Sequence, residues 1–249
     1  MKQILFAIIL CSIGGSVAAQ EEVIAALEII NAGEENVSLD LSGINQLYRA
    51  GQNKEALSAL KNWKAQYPNN VDVLLLEGQI LMDQKKYKPA MKNFDQVLLI
   101  DGNNARAYYL RGLVKDLNKK PLEAIVEFSQ AILLKPDYSL PYEARGTTKS
   151  KLGDHFSAIE DFDKAIELNE DLTLAYMGRG LALHETGQFD KAANDFHVVV
   201  KRESKNALAV YYRGLSKVKK GDNAGCKDLG RAYAMGITNA SIELQKYCQ

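Results

Sequence analysis

Arg145-Gly146, followed at Ala158 by Ala158-Ile159-Glu160-Asp161-Phe162-Asp163-Lys164-Ala165-Ile166, is the stretch that decides the fold. Its spacing recurs along the chain. A shift of 34 residues brings Gly78, Gly112, Gly146, Gly180 and Gly214 into register. Ala56, Ala90, Ala124, Ala158 and Ala192 align in the same way, as do Leu60, Phe94, Phe128, Phe162 and Phe196. A fourth set comprises Trp63, Val97, Ala131, Ala165 and Val199. Six units therefore begin at Val37, Val71, Ala105, Ser139, Thr173 and Ala207 with no insertion between them. A fixed period of this length marks a stack of like supersecondary units.

Within one unit, Ala105 to Asn118 reads as a helix and Leu122 to Lys135 as a second, with Ile125, Phe128, Ala131 and Ile132 on its apolar face. A glycine inside a helix costs about 1 kcal/mol relative to alanine, so one repeated at the same place implies a close contact. Gly112 is expected to face Ala124 on the paired helix, with Phe128 filling the space beside them. The five prolines agree with this division. Pro68 and Pro136 stop second helices, while Pro89, Pro121 and Pro141 fall in first turns, where a missing N–H is harmless.

These residues resemble the tetratricopeptide repeat, in the variety written "RG…AI.DF..AI", over residues 37–236. The resemblance implies an all-α fold: a right-handed superhelical solenoid of about six antiparallel helix pairs. It also implies a concave face, lined by the first helix of each pair, that grips peptides or helices of partner proteins. The end units depart from the pattern, as capping repeats do. Ile44 stands in the glycine place of the first unit; in the last, Cys226 takes the alanine place and Gly230 the phenylalanine place. Asn239 to Cys248 reads as a closing helix, with Ile242, Leu244 and Tyr247 available to cover the last pair, so residues 237–249 form a C-terminal cap. Before the first unit, Val23, Ile24, Leu27 and Ile30 recur at helical spacing, and residues 20–36 read either as an N-terminal cap or as an arm.

The N-terminus indicates where the protein works. Lys2 supplies a positive charge, Ile4 to Ile13 a short apolar stretch, and Ser16-Val17-Ala18-Ala19 small residues before Gln20. This is the pattern of a secretory signal peptide, residues 1–19, cut after Ala19. The apolar stretch is shorter than the roughly 20 residues a spanning helix needs, and no second one follows. Cys11 is preceded by Leu10 where lipidation requires a small residue. The protein is thus expected to be exported, periplasmic or extracellular, with peripheral association with the outer membrane left open.

Composition excludes several functions. Lys+Arg and Asp+Glu both total 31, without the basic excess a nucleic-acid binder uses to neutralise phosphate. Lys85-Lys86, Lys119-Lys120 and Lys219-Lys220 read as solvated charge at turns. His155, His184 and His197 lie in three different contexts, no metal-ligand spacing occurs, and neither a nucleophile elbow nor a phosphate loop is present. No enzyme, cofactor or metal is expected.

Three constellations remain. Arg111, Arg145, Arg179 and Arg213 precede the recurring glycines, and an acid follows each: Glu127, Asp161 and Asp195 sixteen residues later, Asp228 fifteen. Each pair is expected to form a salt bridge between the helices of its own unit. The concave groove is expected to display Tyr109, Leu113, Glu143, Thr147, Met177, Leu181, Tyr211 and Leu215, with Leu140, Leu174 and Leu208 near its edge. Where relatives that hold chaperone C-termini carry a polar clamp, this chain has residues such as Leu75, Gln79, Leu110, Leu140 and Ala144. An apolar or amphipathic segment of a partner protein suits this face better; the alternative is that these side chains pack between neighbouring first helices. Finally, a reversal about Ile237-Thr238, with Gly236 as a left-handed cap and Asn239 as an N-cap, brings Cys226 level with Cys248. In an exported chain the pair suggests a disulfide; two buried free thiols are the alternative.

The function expected is a non-enzymatic protein-binding adaptor of the bacterial cell envelope. A subunit of an outer-membrane assembly or secretion machine is a second reading, and a regulator of an envelope peptidase or cell-wall hydrolase a third.

Overall fold

Asn70, Asn104 and Asn206 each turn a side-chain oxygen onto the backbone N–H three residues on, at Val73, Ala107 and Ala209, over 3.0–3.1 Å. Such N-caps satisfy donors that a helix start leaves unpaired, and they start helices at Val71, Ala105 and Ala207. The computed structural model describes residues 40–248. The expected signal peptide, residues 1–19, and the segment 20–36 lie outside the described residues. The described residues fall into two compact bodies that divide between Gln84 and Lys85.

The first body holds α1 (Ser42–Arg49), α2 (Asn53–Gln66) and α3 (Val71–Asp83), with α2 packed on both others. Its core joins Leu41, Ile44, Ala56, Leu60, Val73, Leu76 and Ile80. The second body holds α4 (Tyr87–Ile100), α5 (Ala105–Leu117), α6 (Pro121–Leu134), α7 (Ser139–Lys151), α8 (His155–Leu168), α9 (Thr173–Glu185) and α10 (Phe189–Arg202). It ends with α11 (Ala207–Lys219), α12 (Gly225–Ala234) and α13 (Ala240–Tyr247). Each helix there packs on the next, and α5, α7, α9, α11 and α13 also touch in series. Among the described residues there is no strand.

The turn from first to second helix uses one backbone device throughout. Gly51, Lys85, Lys119, Gly153, Gly187 and Gly221, each 34 residues from the next, all have φ between 60° and 90°. The following N–H closes back on the helix; Lys120 donates to the Lys115 carbonyl and Asp154 to that of Lys149, at 2.9 and 3.0 Å. Glycine enters this left-handed region freely, whereas a lysine does so at a cost.

The core repeats with the same period. Phe94, Phe128, Phe162 and Phe196 are fully buried, as are Ala90, Ala124, Ala158 and Ala192. The glycine contact differs from the sequence expectation. A Cβ on Gly112 would meet the Phe128 ring at 2.6 Å and the Glu127 Cβ at 3.2 Å, so the ring is the nearest obstacle there, whereas one on Gly146 would meet the Ala158 carbonyl oxygen and the Phe162 ring both at 3.1 Å. Gly180 meets Phe196 likewise, at 2.9 Å.

The last pair is offset by one residue from the sequence alignment. Leu229 is fully buried, whereas Gly230 has nothing within 4 Å of where a Cβ would stand. Gly225, against the Gly214 carbonyl, takes the alanine place that alignment assigns to Cys226. One residue is missing from the turn before α12, which is why Asp228 follows Arg213 by fifteen positions. In the closing helix, Ala240 is buried and Leu244 and Tyr247 pack on the preceding core, while Ile242 is mostly exposed. Asn239 makes no side-chain capping bond, because its own backbone is already helical rather than in the extended conformation a cap needs.

Candidate partner-binding face

The first helices of the second body carry two surfaces, one charged and one largely apolar. On the charged side, Arg111 Nε donates to Glu127 at 2.8 Å, and Arg145, Arg179 and Arg213 reach Asp161, Asp195 and Asp228 at 2.5–3.0 Å. All four acids are buried. Lysines one turn further on, Lys115, Lys149 and Lys217, reach Glu127, Asp161 and Asp228 at 2.6–3.0 Å. Burial works to raise the Asp228 carboxyl, but Arg213 and Lys217 outweigh it and hold the group below its ordinary value.

Each arginine also has a second partner, sixteen residues upstream on the preceding second helix. Arg111 reaches Asp95 at 2.9 Å, Arg145 the Ser129 hydroxyl at 2.9 Å and Arg179 Asp163 at 2.6 Å. Arg213 lies 3.5 Å from the Nδ1 of His197. Tyr108, Tyr142 and Tyr176 lie beneath the first three guanidinium groups at 5.2–5.8 Å. The arginine row therefore joins adjacent helix pairs as well as the helices within a pair. Sequence reasoning found only the downstream acids. The signal for the upstream set, residues 95, 129, 163 and 197 at the same period, was in the chain, but its chemistry varies from acid to hydroxyl to imidazole.

The other surface is a stripe along the touching first helices. Tyr109, Leu113, Glu143, Thr147, Met177, Leu181 and Tyr211 are half-buried. Tyr109 and Leu113 rest on the core of Ala124, Phe128 and Ala144; Met177 and Leu181 rest on Leu183 and Phe196. Tyr109 meets Tyr138 edge-on at 5.4 Å, and burial, with Tyr138 and Glu143 nearby, pushes its phenol well above the usual value. Leu215 does not belong to this surface. It is 6% exposed, within the core of Val210, Val218 and Leu229, because α13 closes over the last pair. Leu174 and Leu208 are exposed and Leu140 is half-buried. Leu75, Leu110 and Ala144 are buried, so they line no clamp.

Elsewhere, Cys226 and Cys248 come together, with Cα atoms 5.7 Å apart and an S–S distance of 2.10 Å, tying the end of α13 to α12. His184 is buried at the end of α9, His155 opens α8 and His197 is exposed on α10. A cleft lined by Ile159, Asp163, Arg179, Leu183, Lys191 and Asp195 contains the Arg179 ion pairs. No helix among the described residues is long and apolar enough to cross a membrane.

Fold and stripe together define an all-helical repeat scaffold of the kind that binds other proteins. Tetratricopeptide repeat family models match residues 47–114, 105–138 and 143–196, and the chain belongs to the tetratricopeptide repeat family. Among solved structures it is similar to YrrB, described as a tetratricopeptide repeat protein with an unusual peptide-binding site. The two share 23% identity over 76% of this chain and 98% of that one, with a TM-score of 0.64. It is also similar to PilF of Pseudomonas aeruginosa, at 16% identity over 85% and 92% of the two chains and a TM-score of 0.69. PilW, described as a widely conserved type IV pilus biogenesis factor, shares 18% identity over 84% and 96%, with a TM-score of 0.68. No curated protein sequence matches the chain.

Proposed function

We propose that this protein is a non-enzymatic adaptor of the bacterial cell envelope that holds an apolar or amphipathic segment of a partner protein along its first helices. The observation that carries the reading is the stripe of Tyr109, Leu113, Met177, Leu181 and Tyr211, which recurs at repeat spacing on helices that touch in series. Large, rigid aromatic rings and adaptable methionine and leucine side chains gain most from covering by a helix or extended segment. Export through the signal peptide 1–19, six tandem repeats over residues 37–236 and a Cys226–Cys248 bridge closing the C-terminal end belong to the same reading.

The test is a photo-crosslinkable residue in place of Tyr109 or Tyr211, with the exposed Glu160 on α8 as control position. Capture of one partner from both stripe positions and not from Glu160 supports the groove. Capture from Glu160 alone, or from no position, removes it.

A second reading, a subunit of an outer-membrane assembly or secretion machine, is favoured by the second helices. Leu99, Leu122, Leu133 and Phe156 are 71–82% exposed there, apolar side chains that a partner surface could cover. Sedimentation of the protein with membranes, lost on Leu122→Ser with Phe156→Ser, separates that reading from the first.

A further inference from the structure

Glu143 departs from the electrostatic rule the rest of the second body obeys. The buried acids Glu127, Asp161, Asp195 and Asp228 each meet an arginine. Glu143, half-buried on α7, accepts a 3.1 Å hydrogen bond from the Thr147 hydroxyl; among the described residues no cation pairs with it. Lys151, further along the same helix, makes its ion pair with Asp116 at 2.7 Å and acts on Glu143 only through its charge. Burial outweighs the Thr147 hydrogen bond and the Lys151 charge and raises the Glu143 carboxyl above its ordinary value.

Its place in the repeat sharpens the contrast. The equivalent residues of the neighbouring first helices are Tyr109, Met177 and Tyr211. A single carboxylate, with the Thr147 hydroxyl bonded to it, thus interrupts a largely apolar stripe, beside the Tyr109–Tyr138 pair. A half-buried charge without a counter-charge destabilises the chain that carries it, and folding alone gains nothing from it. It also weakens contact with any purely apolar segment. Both penalties reverse when a cation arrives from outside.

We infer that Glu143 selects the partner: the segment that binds carries a lysine or arginine whose charged head pairs with Glu143 while its methylene stem lies along Tyr109. This rests on the stripe being the docking surface. Lysine and arginine suit such a place because an apolar stem carries the charge, so one side chain satisfies both the ring and the carboxylate. Apolar residues to either side of that cation then cover Leu113 and Met177. Thr147 holds the carboxylate in position before the partner arrives.

The test uses the full chain and a displayed library of random twelve-residue peptides. Selected peptides are synthesised and measured by calorimetry against wild type, Glu143→Gln, Glu143→Lys and Leu181→Asp, each variant first checked for native helicity. The expected result is enrichment of one basic residue between apolar ones and about tenfold weaker binding to Glu143→Gln. The same loss is expected when that basic residue is replaced by norleucine in a peptide tested against wild type. Glu143→Lys is expected to prefer the peptide carrying glutamate at that position. Peptides whose binding is lost with Leu181→Asp but unchanged with Glu143→Gln overturn the inference and leave the docking stripe intact. If no selected peptide depends on Leu181, both fall.

Discussion

His184 Nε2 lies 3.2 Å from the ammonium of Lys219, and its Nδ1 lies 2.8 Å from the hydroxyl of Ser216. Lys219 has only protons to offer, so Nε2 accepts, Nδ1 carries the hydrogen and the ring is neutral. The arrangement copies one two repeats earlier, where Asp116 receives Thr148 and Lys151 at 3.4 and 2.7 Å. His184 occupies the place of that aspartate, against Phe189 of α10 and Tyr212 of α11. Glu185, next in the chain, is exposed and only partly offsets the lysine.

A pH dependence follows from this geometry. Burial, and after it the Lys219 charge, lower the imidazole from 6.5 to about 4. Unfolding releases the ring to its ordinary value, so the unfolded chain takes up the proton first. The contribution of His184 is whole above about pH 6.5 and is lost as pH falls from there through about 4. Thermal unfolding of wild type should therefore drop more steeply across that window than that of His184→Asn. Parallel slopes would show that the ring does not titrate in this way.

Lys119 holds a backbone angle, φ 60°, that glycine holds at Gly153, Gly187 and Gly221. Replacing Lys119 with glycine removes a left-handed strain of about 1 kcal/mol, and the urea midpoint should rise. Gly153→Ala should lower it by a similar amount. A lower midpoint for Lys119→Gly would mean that its side chain contributes more than its backbone costs.

Arg145 should matter to two helix pairs at once. Its loss in Arg145→Met strands the buried Asp161 with Lys149 alone and leaves the Ser129 hydroxyl bonded only to the Ile125 carbonyl. A loss of about 2–3 kcal/mol is expected, with much of it regained when Asp161→Leu is added, since an unpaired buried charge is the larger penalty. A double-mutant cycle on chemical denaturation measures the coupling; strictly additive losses would show the pair to be uncoupled.

Reduction of Cys226–Cys248 should loosen α13. The bridge closes a short loop, 22 residues in separation, and constraint of that length contributes roughly 3 kcal/mol. Protein recovered from its host should present no reactive thiol at these two positions until a reductant is added, and its melting temperature should then fall. Thiols that react without reductant would show that the cysteines remain unbridged.

What the sequence determined by itself is what is written at one residue or at a fixed period. The helical repeat was legible because packing recurs every 34 positions, placing Ala124, Phe128 and Ala131 on one buried side of α6 and their equivalents on α8 and α10. The arginine and its downstream acid were legible for the same reason. Only the tertiary structure decided the second partner of each arginine, because a contact between pairs is set by how they stack and tolerates aspartate, serine or histidine alike. It also decided the offset in the last pair, where Leu229 and not Gly230 fills the core, since one missing turn residue moves a whole helix face. Leu215 was misjudged on the same account: its own helix marks it as a stripe residue, but α13 folds back and buries it. The setting of Glu143 is likewise tertiary, for a lone acid in a sequence has no sign on it that burial and a Thr147 hydroxyl, rather than an ion pair, will meet it.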